Sequence, residues 1–270
     1  MRLIHASQLS RGYDAMAPVF NDWTRRIKGD PRLEWLDLLV DCLPDDARVL
    51  ELGCGSGEPC TLLLSERFRV TGVDVSRAQL DLARAHAQRA ELIEADLLSA
   101  AFDNASFDAV CSFYVLNHIL RGHLSPLVHR CARWLTPGGW FMHAFATRDN
   151  PGWTGEWLGV EMFFSGYSPA ENRRLVEAAG LTIARDELVT FTEPQPEPGD
   201  VTFQWLLARK NSNQNDASSA GWAGRVRCED AGSTNTRLIG ATDDDAACRP
   251  GRPDDTRLHF DSSSKPGVAS

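Results

Sequence analysis

The apolar positions of the chain change repeatedly between two spacings. Apolar residues follow the helical period from Pro31 to Leu43, whereas Ala47–Leu52 is a short continuous apolar run that predicts a buried strand. Strands that alternate with helices predict a parallel sheet covered on both faces by helices. The alternation continues with helices at Glu58–Arg67, Ser76–Arg89 and Ser125–Leu135, and with strands at Phe68–Val75, Ala90–Glu94, Phe107–Tyr114 and Trp140–Phe145.

A different pattern follows the last of these strands. The connection Ala146–Tyr167 is long for a compact domain, and its alternative interpretation is a short helix at Glu156–Phe164. A helix at Pro169–Ala179 comes next, ended by Gly180. Two β-like runs, Leu181–Thr192 and Val201–Arg209, are separated by a proline-rich loop, so we expect them to pair as an antiparallel hairpin.

Composition and charge narrow the classes of partner. The chain has 270 residues, 43% of them hydrophobic, and a formal net charge of -9. An acidic protein without a basic cluster is a poor partner for nucleic acid. The sequence has neither the long apolar run of a membrane span nor the N-terminal pattern of a secretory signal, and its 7 cysteines include no CxxC pair. We therefore expect a cytoplasmic protein with no membrane partner and no metal site.

A glycine-rich turn joins the first predicted strand to the next helix. Residues 49–57 read VLELGCGSG, so Gly53, Gly55 and Gly57 lie where the chain turns from strand to helix. Glycines allow a ligand to lie against the backbone, and free N–H groups at a helix start attract anions. Such a turn can also need glycine for its geometry alone, so the neighbouring residues must decide between the two interpretations.

Acidic residues follow three successive strands and favour a nucleoside ligand. Asp74 ends the second strand, where a carboxylate can accept hydrogen bonds from both ribose hydroxyls; alternatively it caps the next helix, although Ser76 suits that role. Asp96 follows the third strand and could accept a bond from an adenine amino group. Glu51 precedes a turn that reads GxGxG rather than the dinucleotide pattern GxGxxG. A carboxylate there suits a ligand with a cationic amino group better than it suits a pyrophosphate.

Five motifs in order, VLELGCGSG, VTGVDVS, EADLL, SFDAVCSFYVLNHI and RWLTPGGWFM, resemble those of class I S-adenosylmethionine-dependent methyltransferases. The resemblance covers about residues 9–209. It implies a Rossmann-like α/β fold with a seven-stranded, mostly parallel sheet in the order 3-2-1-4-5-7-6, whose last strand is antiparallel. It also implies S-adenosylmethionine as cofactor. The cofactor residues that it implies are Tyr13 on an N-terminal cap helix, Glu51, Gly53, Gly55, Gly57, Asp74, Val75, Asp96, Leu97 and Phe113.

The resemblance and the composition together divide the chain into three parts. We expect a cap-helix region over residues 1–30 and a methyltransferase domain over residues 31–210. Residues 211–270 are polar, with few large apolar side chains, and we expect a disordered tail because such a segment buries too little apolar surface to offset the entropy of ordering.

Candidate residues for the acceptor side are histidines and aromatics. Methyl transfer needs the acceptor to be aligned in a dry site, and hydroxyl acceptors usually also need a base. His118 follows the fourth strand and is the first candidate base; His143, inside the fifth strand, is the second. Aromatic residues of the long connection predict a pocket for a mostly apolar acceptor, although some of them could pack into the core. The predicted pocket residues are Trp153, Trp157, Phe163 and Phe164.

The function that follows is methyl transfer from S-adenosylmethionine to a small, partly apolar or aromatic metabolite. An enzyme that binds NAD or another nucleotide on a related sheet is the alternative. A non-catalytic S-adenosylmethionine-binding protein is another. The sequence does not distinguish oxygen, nitrogen, sulfur and carbon as the methylated atom, and it gives no oligomeric state.

Overall fold

The computed structural model describes residues 2–196 and 198–212, so the expected tail lies almost entirely outside the described residues. The helices are α1 Arg2–Arg25, α2 Arg32–Asp41, α3 Cys60–Arg67, α4 Arg77–His86, α5 Arg121–Trp134 and α6 Pro169–Ala178, with a 3-10 turn at Leu116–His118. The strands are β1 Arg48–Leu52, β2 Arg69–Asp74, β3 Glu91–Glu94, β4 Phe107–Ser112, β5 Leu135–Ala146, β6 Asn150–Trp157, β7 Val160–Gly166, β8 Leu181–Glu193 and β9 Gly199–Lys210.

Seven strands form the main sheet in the order β3-β2-β1-β4-β5-β9-β8. Since β6 and β7 pair only with each other, β8 and β9 are the sixth and seventh strands of this sheet, and the predicted order 3-2-1-4-5-7-6 is confirmed. Strands β1 to β5 run parallel, and β9 is antiparallel to β5 and β8. The strand order reverses between β1 and β4, so the crevice at their carboxyl ends is the expected place for a ligand.

The two faces of the sheet are both buried. Alternate residues of β1 point to opposite sides, so Leu50 packs in one apolar cluster with Val110 and Phe141, whereas Val49 packs in another with Met142. Covering helices explain why the central strands are continuous apolar runs. Among residues 2–196 and 198–212, no helix combines the length and the apolar content that a membrane span requires.

Helix ends follow the capping residues in two places and differ from the prediction in a third. Ser76 caps α4 by accepting a hydrogen bond from the Gln79 backbone N–H, and Ser168 does the same for α6. Helix α5 begins at Arg121 rather than at Ser125, and Pro126 lies inside it. A serine before a proline is typical of a helix start, which explains why the sequence pattern placed the boundary one turn too late.

The long connection after β5 is a β-hairpin, and the alternative of a short helix at Glu156–Phe164 is wrong. Trp157 pairs with Val160, which leaves Leu158 and Gly159 as a two-residue turn. Both turn residues have positive φ, 51° and 78°, as a type I′ hairpin turn requires. Side chains of β6 and β7 therefore alternate between two faces instead of following a helical stripe.

Helix α1 packs against this hairpin and forms a third apolar cluster outside the sheet. Its buried members are Met16 and Trp23 from α1, Met162 from β7 and Leu158 from the turn. The packing brings the two segments, which are far apart in sequence, together beside the carboxyl ends of the central strands. The cluster thereby covers one side of the crevice at the carboxyl ends of the central strands.

Candidate active site

A cavity of about 600 Å³ lies at the carboxyl ends of the central strands. Its volume is within the range of small-molecule sites. It brings together most of the residues that the sequence motifs single out. Tyr13, Glu51, Gly53, Gly55, Asp74, Val75, Asp96, Leu97, Phe113, His118, Trp153, Trp157 and Phe164 line it, whereas Gly57, His143 and Phe163 do not.

The three glycines of the turn after β1 have different roles. All three have positive φ, but a Cβ on Gly53 would lie 2.2 Å from a methyl carbon of Val115, and a Cβ on Gly57 would lie 3.3 Å from Ala83 of α4. These two positions need glycine for close packing. A Cβ on Gly55 would meet only the Gln79 amide oxygen, at 3.9 Å. Gly55 is therefore the position where a ligand can approach the backbone.

Asp74 is held at the end of β2 by backbone donors. Its Oδ2 accepts from the Gly55 N–H at 2.9 Å and its Oδ1 accepts from the Ser76 N–H at 2.8 Å. Burial raises the pKa of this carboxyl, while the bonds from Ser76 and Gly55 oppose the rise. Each carboxylate oxygen has a second acceptor site, so Asp74 can still receive two ribose hydroxyls. The helix cap is Ser76, as the sequence suggested.

Glu51 is the buried carboxylate of the cavity. The residue is 3% exposed, and its Oε2 accepts a hydrogen bond from the Thr61 hydroxyl at 2.7 Å. Burial raises the pKa of the Glu51 carboxyl to about 7, although the Thr61 bond opposes the rise. A cationic group in the cavity would restore the ionised form, so the position suits an ammonium ligand.

Asp96 and Leu97 form the wall of the cavity beyond β3. Asp96 accepts from the Leu98 backbone N–H at 2.9 Å, which fixes the turn that follows the strand. The carbonyl oxygen of Leu97 accepts from the Arg130 guanidinium of α5 at 3.1 Å. These bonds hold an acidic and an apolar side chain side by side, an arrangement compatible with an adenine edge and face.

His118 is buried, with 2% exposure, and both ring nitrogens have partners. Its Nδ1 lies 2.9 Å from the carbonyl oxygen of Phe163 in β7, and its Nε2 lies 2.8 Å from the Tyr13 hydroxyl of α1. A carbonyl oxygen can only accept, so Nδ1 carries the proton of the neutral ring and Nε2 accepts from Tyr13. In this tautomer of the neutral ring, the acceptor nitrogen Nε2 is turned towards Tyr13.

His143 occupies the apolar core instead of the cavity wall. The residue is fully buried between Phe141 and Phe145, whose ring centroids lie 3.9 and 5.7 Å away. Among the described residues, neither ring nitrogen has a hydrogen-bond partner. Burial lowers the pKa of His143 to about 3. The geometry therefore gives His143 no access to an acceptor in the cavity.

The aromatic wall comes from the hairpin and from α1. Trp157 and Phe164 line the cavity with their rings 5.8 Å apart and nearly perpendicular. Trp153 lines its outer part and is 53% exposed. The Phe163 side chain does not line the cavity, contrary to the prediction. Its backbone carbonyl instead accepts a hydrogen bond from His118. Helix α1 adds two aromatic side chains that sequence reasoning did not assign to the pocket, Phe20 and Trp23.

Two further polar residues of the cavity were not found from the sequence. Gln79 of α4 is 1% exposed, and within the part of the chain that the structure describes neither the nitrogen nor the oxygen of its side-chain amide has a hydrogen-bond partner. Arg32 at the start of α2 forms an ion pair with Asp30 at 2.7 Å; burial lowers the pKa of the guanidinium, but the Asp30 carboxylate gives a net rise. Gln79 lies in an amphipathic helix, so its position in the sequence does not mark it as a binding residue. Only the structure shows that its amide is buried without hydrogen-bond partners among the described residues, which indicates a ligand site.

Comparisons with known proteins agree with this geometry. Residues 49–139 match the family model described as a methyltransferase domain. The ubiquinone biosynthesis O-methyltransferase of Alkalilimnicola ehrlichii is 32% identical over 133 residues, which are 47% of this chain and 53% of that protein. The one from Thiobacillus denitrificans is 28% identical over 66% of this chain and 84% of that protein. The chain thus spans about half the length of the first of these relatives.

Solved structures show the same fold. The Burkholderia thailandensis 1,6-didemethyltoxoflavin-N1-methyltransferase, with 1,6-didemethyltoxoflavin and S-adenosylhomocysteine bound, superposes with a TM-score of 0.57 at 22% identity, over 76% of this chain and 88% of that chain. A Methanosarcina mazei S-adenosylmethionine-dependent methyltransferase gives 0.58 at 18% identity, over 64% and 97%. The chain has the fold and motifs of a class I S-adenosylmethionine-dependent methyltransferase, as the resemblance predicts.

Proposed function

We propose that the protein transfers a methyl group from S-adenosylmethionine to a small, partly apolar or aromatic acceptor. One observation carries the proposal: a single cavity joins Glu51, Gly55 and Asp74 to an aromatic wall that contains His118. A site of this kind holds a polar nucleoside ligand and an apolar acceptor next to each other. The match of residues 49–139 to the methyltransferase-domain model supports the proposal, which extends it to the whole chain.

The cofactor side of the cavity fits S-adenosylmethionine. Glu51 would pair with its α-ammonium group and Asp74 with its ribose hydroxyls, while Gly55 leaves room against the backbone. The buried, unpartnered amide of Gln79 supplies a donor and an acceptor that only a ligand or water can satisfy. When bound, the cofactor supplies an electrophilic methyl group on a sulfonium centre.

The acceptor side is aromatic and mostly acidic. The cavity-lining residues of the hairpin and of the β8–β9 end include Glu156, Glu193 and Asp200, against Arg148 from the end of β5. Coulomb repulsion from these carboxylates disfavours anionic acceptors, and water screens Glu156 and Asp200, which are exposed, more than it screens the half-buried Glu193. We therefore propose a neutral or amine-bearing aromatic acceptor. The names of two relatives support a small-molecule acceptor, since one is a ubiquinone biosynthesis O-methyltransferase and the other is a 1,6-didemethyltoxoflavin-N1-methyltransferase.

The residues of the chain would contribute positioning, exclusion of water and proton removal. Helix α1 and the β6–β7 hairpin close the cavity through their shared apolar cluster, which keeps water from the reacting atoms. Aromatic rings at Trp157 and Phe164 orient a flat acceptor. In its neutral form, with the proton on Nδ1, His118 accepts at Nε2 and would serve as the base for an acceptor that has a proton to lose.

Ligand-induced thermal stabilisation tests the cofactor assignment. S-adenosylmethionine and S-adenosylhomocysteine at about 100 times their dissociation constants should stabilise the protein by about 2.7 kcal/mol, whereas NAD and ATP should not. Asp74→Asn should reduce the effect, and Asp81→Asn, at an exposed carboxylate of helix α4, which follows β2, should not. Stabilisation by NAD alone would refute the proposal and support the nucleotide-binding alternative.

A product-mass screen with metabolite extracts tests the transfer itself. A methylated product gains one CH₂ in mass, and it should appear with wild-type protein and S-adenosylmethionine but not without either. Binding of the cofactor with no product from any acceptor class would instead support a non-catalytic binding protein. The cytoplasmic location and the absence of a nucleic-acid partner, expected from the sequence, stay predictions.

A further inference from the structure

Tyr13 stands between the two halves of the cavity. Its hydroxyl lies 2.8 Å from His118 Nε2, and its ring is perpendicular to the imidazole at a centroid distance of 5.5 Å. Burial, and secondarily the Asp74 carboxylate, raise the pKa of Tyr13. The hydroxyl is thus within electrostatic reach of the ribose-binding carboxylate and in contact with the acceptor-side histidine. This is the junction at which donor and acceptor must meet.

The hydrogen bonds of His118 leave no ring nitrogen open to the cavity. The Phe163 carbonyl fixes the proton on Nδ1, and Tyr13 donates to Nε2. The ring also has Phe164 beside it, with centroids 4.9 Å apart. An acceptor in the cavity therefore meets the Tyr13 oxygen before it can meet the basic nitrogen of His118. A phenol oxygen that donates one hydrogen bond can still accept another.

We propose that Tyr13 is a catalytic residue that relays the acceptor's proton to His118. The inference rests on the proposed methyl transfer. The acceptor's lone pair forms the new bond to the methyl carbon as the carbon–sulfur pair stays on sulfur. The acceptor's proton passes to the Tyr13 oxygen, and the phenolic proton of Tyr13 passes to His118 Nε2. The sum is one methyl and one proton transferred, and the imidazolium returns its proton to solvent after product release.

The surroundings suit each partner of this relay. A raised pKa keeps Tyr13 protonated, so it acts as a carrier and does not store charge between turnovers. The imidazolium formed at His118 keeps its Nδ1–H bond to the Phe163 carbonyl, which becomes a charge-assisted bond. Tyr13 and His118 are both fixed by tertiary packing, on α1 and after β4, so no large movement is needed during the transfer.

Kinetics of three variants test the relay with the acceptor that the product-mass screen identifies. Tyr13→Phe and His118→Gln should each lower kcat on the order of 10²- to 10⁴-fold, and the double variant should be little worse than either, because one proton path is broken in all three. The dissociation constant for S-adenosylhomocysteine should change only a few-fold. Tyr167→Phe, on a tyrosine outside the cavity lining, is the matched control and should keep the wild-type kcat.

Two kinetic results would overturn the relay. A wild-type or faster kcat in Tyr13→Phe would show that His118 reaches the acceptor directly. Weaker cofactor binding in Tyr13→Phe with unchanged kcat would show that Tyr13 only covers the cofactor. An acceptor that has no proton to lose would also overturn it. If wild-type protein neither binds the cofactor nor yields product, the proposed function fails and the relay falls with it.

Nitrogen-15 NMR of histidine-labelled protein gives a readout without turnover. The His118 signals should show a protonated Nδ1 and a bare Nε2, and the Nε2 shift should move in Tyr13→Phe as that nitrogen loses its donor. A protonated Nε2 in the neutral ring would refute the relay even if the enzyme methylates its acceptor, because Tyr13 could then not donate to it.

Discussion

Glu51 offers a test of the cofactor site that needs no acceptor. Its carboxyl is buried, and its pKa is raised to about 7. At pH 7 about half of the ligand-free molecules therefore carry a proton on Glu51. An α-ammonium group in contact with the carboxylate favours the ionised form, so binding of S-adenosylhomocysteine should expel that proton. NAD carries no α-ammonium group and should not do so.

The size of the effect follows from the pKa. Proton release should be roughly nine-tenths of a proton per ligand at pH 6, about half at pH 7 and about one-tenth at pH 8. The upward direction of the pKa shift also determines how the affinity for S-adenosylhomocysteine depends on pH. Since binding requires the ionised carboxylate, affinity should be constant well above pH 7 and should fall roughly tenfold per pH unit well below it.

Titration calorimetry in buffers of different ionisation enthalpy measures this proton release directly. Glu51→Gln should show no release at any of the three pH values and a flat affinity. Glu58→Gln is the matched control, because Glu58 also lines the cavity but pairs with Arg25 at the protein surface. Binding of S-adenosylhomocysteine by the wild type with no proton exchange between pH 6 and pH 8 would refute the placement of the ammonium group at Glu51.

Two other predictions concern the glycine turn and the buried core histidine. Gly55→Val should abolish S-adenosylhomocysteine binding by calorimetry while circular dichroism stays native, because the added side chain enters space reserved for the ligand; normal binding would make the turn purely structural. His143 is neutral when folded and protonates on unfolding below pH 6.5, so its contribution to stability is lost as pH falls, at about 1.4 kcal/mol per pH unit. His143→Leu should remove that part of the slope in urea titrations, and an unchanged slope would contradict the burial argument.

The parallel sheet could be predicted because local and global signals agree, whereas its strand order came from the family resemblance. Each glycine-turn or acidic motif stands at the end of an apolar run, and parallel strands of this kind meet at one edge of a sheet. Glu51, Asp74 and Asp96 therefore fell in one cavity, as the motifs indicated. The sequence pattern could not distinguish the packing role of Gly53 from the ligand-facing role of Gly55, because Gly53 packs on Val115, in a loop 62 residues further along the chain.

The hairpin after β5 could not be predicted with the same clarity. Its turn uses Leu158 at a positive φ, whereas the usual signal for a type I′ turn is Asn or Asp followed by glycine. Its aromatic residues also fit a helical spacing. Tertiary packing on α1 favours the hairpin, since Met162 and Leu158 are buried in one cluster with Met16 and Trp23 of that helix.

The pairing of Tyr13 with His118 lies beyond sequence reasoning for another reason. The two residues are 105 positions apart, and neither side chain shows from its neighbours which partner it meets. The sequence placed each of them near the site separately. Only the docked position of α1 reveals that they share one hydrogen bond, and that the base proposed from the sequence is screened by the residue proposed as a cap.

The β6–β7 hairpin has a consequence for how this scaffold can acquire new acceptors. It pairs with no strand of the main sheet. Two hydrogen bonds connect it to the turn after β4, one from His118 to the Phe163 carbonyl and one from Ser165 to the Ile119 carbonyl. Substitutions on its cavity-facing positions can therefore accumulate without disturbing the strands that hold the proposed nucleoside site. Evolution, or a designer who grafts residues 150–166 from a relative, can exchange one acceptor for another while the methyl-donor half stays as it is.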